Sequence, residues 1–104
     1  MTGTTQAVLE TVLADPRADH YGLQIGAKTA LPSGTIHPIL ARLESIGWLV
    51  SGWEEVEPAQ AGRPKRRYYR LTATGLTGGR AALAAARERR SRYAAQLRPQ
   101  EGLS

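Results

Sequence analysis

The sequence predicts a mainly α-helical fold carrying one β-hairpin. Three observations predict it. The first half holds three short stretches with apolar residues at helical spacing. Two alternating stretches follow, joined by a basic loop with two prolines and a glycine. A long run of Ala and Arg, both good helix formers, closes the chain.

The first helix is expected over residues 5–14, with Val8, Leu9, Val12 and Leu13 as its apolar stripe. Pro16 disfavours helix at the residue before it and ends this element. A second helix is expected to open at Asp19 or His20 and to run to about Ala30. Tyr21, Leu23, Ile25, Ala27 and Leu31 are its candidate inward or half-buried positions, and Gly22 and Gly26 would allow a neighbouring helix to approach closely. The link near residues 29–32 is short enough for a helix-turn-helix.

The third helix lies within residues 31–47. Ile36, Ile39, Leu40, Leu43 and Ile46 follow the i, i+3, i+4, i+7 spacing of a buried stripe. Ser33 is the expected N-cap and Gly47 the expected left-handed residue past the end. Pro38 removes about one backbone hydrogen bond near the start. The other face holds Gly34, Thr35, His37, Pro38, Ala41, Arg42 and Ser45, side chains that are small, polar or basic. A recognition helix needs such a face to enter a DNA major groove by its N-terminus. An ordinary amphipathic core helix would read the same on this stretch alone.

Residues 48–56 read as a strand, with Leu49, Ser51 and Trp53 on one face. Residues 57–64 form a loop, and residues 65–71 a second strand with Arg67, Tyr69 and Leu71 on one face. The hairpin so formed carries Arg63, Lys65 and Arg66 at its tip. Directly after a helix-turn-helix, such a hairpin is a wing. The fold class is therefore a winged helix-turn-helix over residues 1–72. Residues 73–104 continue it as a C-terminal dimerisation helix and tail, the whole forming one unit. Thr72 caps that helix, which Gly75, Gly78 and Gly79 interrupt at its start and which is strong over residues 80–96. Leu76, Gly79, Leu83, Ala86, Arg90, Tyr93 and Leu97 keep alternating steps of three and four, a heptad seam. Fraying is expected from Arg98 onward.

Composition bounds the function. The chain has 104 residues, no Phe, six other aromatics and no Cys, which excludes disulfides and thiolate metal sites. Its apolar runs fall far short of the roughly 18–20 residues that span a bilayer, and the N-terminal residues lack the pattern of a signal peptide. A cytoplasmic protein without membrane contact is the expectation. The net charge of +5 is uneven, since residues 1–59 carry three basic against seven acidic side chains and residues 60–104 eleven against two. Such asymmetry points to a polyanionic partner. Part of the Arg excess, twelve to two over Lys, also fits a GC-rich coding bias. Two histidines in different elements, without cysteine or a Gly-rich phosphate loop, leave little from which to build a catalytic site, so an enzyme is not expected.

Taken together, Tyr21-Gly22, residues 33–47, Trp53-Glu54-Glu55 and residues 62–75 (Gly-Arg-Pro-Lys-Arg-Arg-Tyr-Tyr-Arg-Leu-Thr-Ala-Thr-Gly) resemble the PadR family of winged-helix transcriptional regulators. The resemblance spans about residues 5–97. His37 stands where the family usually has Tyr, and Trp48 where an aliphatic residue is common. The short C-terminal part matches the subfamily with one C-terminal helix. The resemblance implies a homodimer in which the first and last helices pack on the partner. It also implies repression at an operator of dyad symmetry and, in some members, a response to aromatic or drug-like ligands.

On this reading Ser33, Thr35, His37 and Arg42 contact base edges, with Gly34 and Pro38 beside them on the same face. Tyr21 and Lys28 contact phosphates, and Arg63, Lys65 and Arg66 track the backbone or minor groove at the wing. His37 is alternatively a solvated residue or, least readily, a metal ligand. Val8, Leu9, Val12, Leu76, Leu83, Ala86, Tyr93 and Leu97 form the dimer interface, so a charge at Leu83 should block dimerisation. Trp48 and Trp53 either pack on the core and hairpin or line a pocket for a small aromatic ligand. No cofactor or metal is expected. Two rivals remain: a winged-helix adaptor or antagonist that meets protein through the third helix, and a regulator of another winged-helix family such as a MarR-like one.

Overall fold

The computed structural model describes residues 1–97, so the expected fraying from Arg98 lies outside the described residues. The fold is mainly helical, with a small three-stranded antiparallel sheet and a long last helix. The elements are α1 (Gly3–Ala14), β1 (His20–Tyr21), α2 (Gly22–Thr29), α3 (Ser33–Ser45), β2 (Leu49–Trp53), α4 (Pro58–Ala61), β3 (Arg67–Leu71) and α5 (Ala73–Leu97).

α1 begins two residues before the expected start, because the Thr2 hydroxyl accepts the Thr5 N–H at 3.2 Å and caps the helix there. The second helix begins later than expected. His20 and Tyr21 are a strand, paired with Tyr69 and Tyr68, so the sheet order is β1-β3-β2. His20 is buried at 5% exposure, and its Nε2 donates to the Asp15 carbonyl at 2.9 Å. That bond folds the chain back and holds it extended along the edge of β3.

α2 buries Ile25, whereas Leu23 (80% exposed) and Ala27 face outward, contrary to expectation. The inward stripe is Gly22, Ile25, Gly26 and Thr29, and its two glycines hide the period. A Cβ on Gly26 would sit 3.4 Å from the Ile36 side chain, so α2 lies close on α3. The helix ends at Ala30, which adopts φ 59°, a left-handed position that Gly more often fills.

α3 takes Pro32, not Ser33, as its N-cap: the Pro32 carbonyl accepts from Thr35 and Ile36, and no side chain caps the helix. At its other end Gly47 turns to φ 80° as expected. The Trp48 N–H donates to the Leu43 carbonyl at 2.9 Å and the Gly47 N–H to Glu44 at 3.0 Å, a Schellman closure. The core joins Val8, Leu9 and Val12 of α1 to Ile25, Ile36, Ile39, Leu40, Leu43, Leu49, Tyr69 and Leu83.

α5 is continuous through its glycines. Thr72 caps it as expected, its hydroxyl accepting the Gly75 N–H at 2.9 Å. Gly75 and Gly78 lie against Trp48, and Gly79 against Leu13, so they are contact residues and not interruptions. Beyond Ala86 every described residue of α5 is exposed, and the molecule measures 70 × 26 × 20 Å. Among the described residues no helix is long and apolar enough to cross a membrane.

Candidate nucleic-acid interface

Four side chains fix the inner face of α3: Ile36, Ile39, Leu40 and Leu43 are all buried. Steps of 100° per residue then put Gly34, Pro38, Ala41 and Ser45 at the centre of the outer face. All four are exposed, and nothing lies within 4 Å of a Cβ built on Gly34. The centre of the face thus holds no long side chain, and the helix backbone itself can come close to another surface. Pro38 has no N–H, so the Gly34 carbonyl lacks its helical donor.

Beside this face lies a notch of about 420 Å³ between the start of α2, α3 and the hairpin. Tyr21, Gly22, Leu23, His37, Trp53, Arg66, Arg67 and Tyr69 line it. The His37 ring rests on Gly22, where an added Cβ would lie 3.2 Å from the imidazole. Arg67 is held in place before any ligand arrives. Its Nη2 and Nε donate to the Ser51 hydroxyl at 2.7 and 3.1 Å, and its guanidinium stands 5.5 Å over the Trp53 ring. Glu44 at the end of α3 accepts from the same hydroxyl and lies 3.8 Å from Arg67. One acid thereby ties α3 to both strands of the hairpin.

The hairpin tip is braced from within. Loop residues 58–61 form a single helical turn, α4, ended by Gly62 at φ 68°. Arg63 then turns inward and pairs with Glu54. Glu54 also accepts the Arg66 N–H at 2.9 Å. The Arg63 hydrogen bond holds the Glu54 carboxyl below its usual range against partial desolvation, with help from the Arg66 N–H and both cations. The same pair raises Arg63. Lys65 and Arg66 remain exposed.

The structure brings Tyr21, His37 and Arg66 together in the notch and places Ser33, Gly34 and Pro38 on the open face. Thr35 and Arg42 lie on the α1 side of α3, where Arg42 Nη2 reaches the Thr5 hydroxyl at 3.5 Å. Lys28 lies across α2 beside Glu10 and Thr11. Arg63 is committed to Glu54. The sequence pattern gives Arg67 no role beyond sharing a strand face with Tyr69 and Leu71, and Trp53 only packing or a ligand pocket. The interface residues divide as well. Val8, Leu9, Val12, Leu83 and Ala86 are at most 4% exposed inside their own chain, because α1 and α5 pack on each other. Leu76 is half-buried, and Tyr93 and Leu97 are 63% and 64% exposed. Trp48 and Trp53 line separate concavities, not one pocket.

The open face of α3 thus lies beside a notch lined by arginine and aromatic side chains. Residues 16–85 match the model of the transcriptional regulator PadR-like family. The chain belongs to the PadR-like family. Among solved structures, a PadR family transcriptional regulator from Eggerthella lenta superposes with TM-score 0.73 at 25% identity, covering 93% of this chain and 87% of that one. The PcaV transcriptional regulator from Streptomyces coelicolor gives TM-score 0.73 at 28% identity, over 93% of this chain and 65% of that one. MepR of Staphylococcus aureus, at 20% identity and TM-score 0.65, covers 98% of this chain and 70% of its own, and shows the shared fold. A comparison with curated proteins finds no match. The PadR-like match takes in the notch and the core residues from Ile25 to Leu83, leaves out Val8, Leu9 and Val12 of α1, and stops at residue 85, short of the exposed end of α5.

Proposed function

We propose that this chain is a sequence-specific repressor that binds an inverted-repeat operator as a homodimer in the cytoplasm. The observation that carries the reading is the open face of α3 set directly beside the cationic notch. With α3 in the major groove and the hairpin over the next minor groove, the sugar–phosphate strand between those grooves has to pass through the notch. Arg66 and Arg67 then meet phosphate, Tyr21 donates its hydroxyl, and Trp53 lies along deoxyribose. Ser33, Thr35 and His37 reach base edges beside the close backbone at Gly34 and Pro38. Lys65 follows the wing. Lys28 and Arg42, on the flanks, meet phosphate further out, and Arg63 acts by stiffening the tip.

A second copy meets the far half of α5, where Tyr93 and Leu97 extend the seam and are 63% and 64% exposed. A small aromatic inducer would fit the apolar cavity of about 540 Å³ between α1 and α3, walled by Trp48, Ile46 and Leu9. Genomic footprinting with the purified protein tests the reading. Two protected half-sites, related by a dyad and about 10–10.5 base pairs apart centre to centre, are expected. Protection without a dyad, or none, overturns it.

A further inference from the structure

Trp48 is bonded to both of the helices that a dimeric DNA reader has to keep in register. Its N–H closes α3, donating to Leu43 at 2.9 Å. Its carbonyl accepts the N–H of Thr72, the cap of α5, at 3.0 Å. Its indole lies on Gly78, where an added Cβ would come within 2.7 Å of the ring. Its carbonyl is so close to Gly75 that a Cβ there would overlap it at 2.1 Å. The Thr72 hydroxyl completes the joint by donating to the Gly47 carbonyl at 2.6 Å. No flexible linker separates the end of α3 from the start of α5.

We propose that Trp48 is the positioning residue that fixes the spacing between operator half-sites. The proposal rests on the dimeric DNA-binding reading above. α5 is the arm that leads to the second copy, and α3 is the element that reads DNA. The angle between them sets how far each recognition helix stands from the dyad. A 25-residue helix is about 37 Å long, so a turn of roughly 5° by α5 together with the α1 helix packed on it carries the far end of α5 about 3 Å, close to the ~3.4 Å rise of one base pair. A joint meant to choose one spacing therefore has to be stiff to a few degrees. An indole seated on a glycine between two backbone hydrogen bonds is such a joint. Two of the three glycines of α5 find their reason here, since a side chain at 75 or 78 would displace the residue that joins the helices.

The test is the affinity of the dimer for a series of operators whose half-site separation varies by one base pair at a time. Wild type is compared with Trp48→Ala, Trp48→Phe and Gly78→Ala, each matched for helical content and dimer mass. Wild type should favour one separation by about tenfold over its neighbours, since a base pair also rotates the half-site about the DNA axis. Trp48→Ala should bring neighbouring separations within about threefold of each other. Gly78→Ala should move the optimum or broaden it, and Trp48→Phe should restore part of the preference. A residue with only a structural role would lower every affinity alike and leave the profile unchanged; that result in the variants overturns the proposal. A flat profile in wild type overturns the dimeric reading itself and the proposal with it. If Trp48→Ala does not fold, the Gly78→Ala profile decides.

Discussion

Arg67 is the side chain whose role is most directly measurable. It is half-exposed and already oriented by Ser51, Glu44 and Trp53, so binding a phosphate costs it little further ordering. Arg67→Ala should weaken DNA binding across sequences and reduce the log–log salt slope by about one, read from a salt titration of affinity. A slope equal to wild type would remove Arg67 from the interface. Glu54 makes a prediction about pH. Its carboxyl is held below the usual value of 4.5, chiefly by Arg63. A folded-state value below the unfolded one stabilises the brace above the usual value and loses that contribution as pH falls through the lowered value. Amide exchange at Arg66 should therefore stay protected from pH 7 down through 4.5 and open only below it. Opening well above 4.5 would contradict the Arg63 pairing. Ala30 shows the limit of a purely local reading. Nothing in its type marks it as the left-handed residue at the end of α2, because that conformation is imposed by the turn into α3.

At the scale of elements, the periodic segments were legible and the short ones were not. α1, α3, both hairpin strands and α5 were all visible, because each repeats its apolar spacing long enough to be counted. β1 has two residues, too few for any alternation, and is made by the buried His20 bond and the free edge of β3. α4 is one turn that Pro58 opens and Gly62 closes, so its sequence reads as loop. The notch was half legible. His37 and Arg66 stood out as polar residues off the core and Tyr21 as a candidate phosphate contact, whereas Trp53 stood out only for packing or a ligand pocket and Arg67 only as one face of a strand. The glycines of α5 were legible as glycines and misread as breaks, since only the packed structure shows Trp48 against them. Gly75→Ala makes that reading testable. A Cβ would overlap a backbone oxygen, which cannot swing aside, so the change should cost about 3 kcal/mol or more of stability in denaturant melts. A stability within about 0.5 kcal/mol of wild type, the range of ordinary surface changes, would deny the close contact.

The whole molecule divides into a packed body and an exposed arm. Charge divides at a different point, with the acidic side chains concentrated before residue 60 and the basic ones after it, in the hairpin and along α5. The seam along α5 was visible as one stripe, but its two halves differ in burial. Its first half, through Leu83 and Ala86, belongs to the core with α1. Its second half, with Tyr93 and Leu97, is exposed, and we propose that it meets a second copy. A charge should therefore act oppositely at the two ends. Leu97→Asp should leave the helical content intact and give a monomer by light scattering. Leu83→Asp should unfold the chain at a cost above about 4 kcal/mol, since it buries an unpaired charge. A folded monomer from Leu83→Asp would contradict this division. The central claim, that α3 and its notch read DNA as half of a symmetric pair, is tested most directly by selecting DNA from a random pool with the purified protein at physiological salt. The account predicts recovery of an inverted repeat with half-sites one helical turn apart. Binding that is blind to sequence and lost with added salt, or no recovery at all, would contradict it.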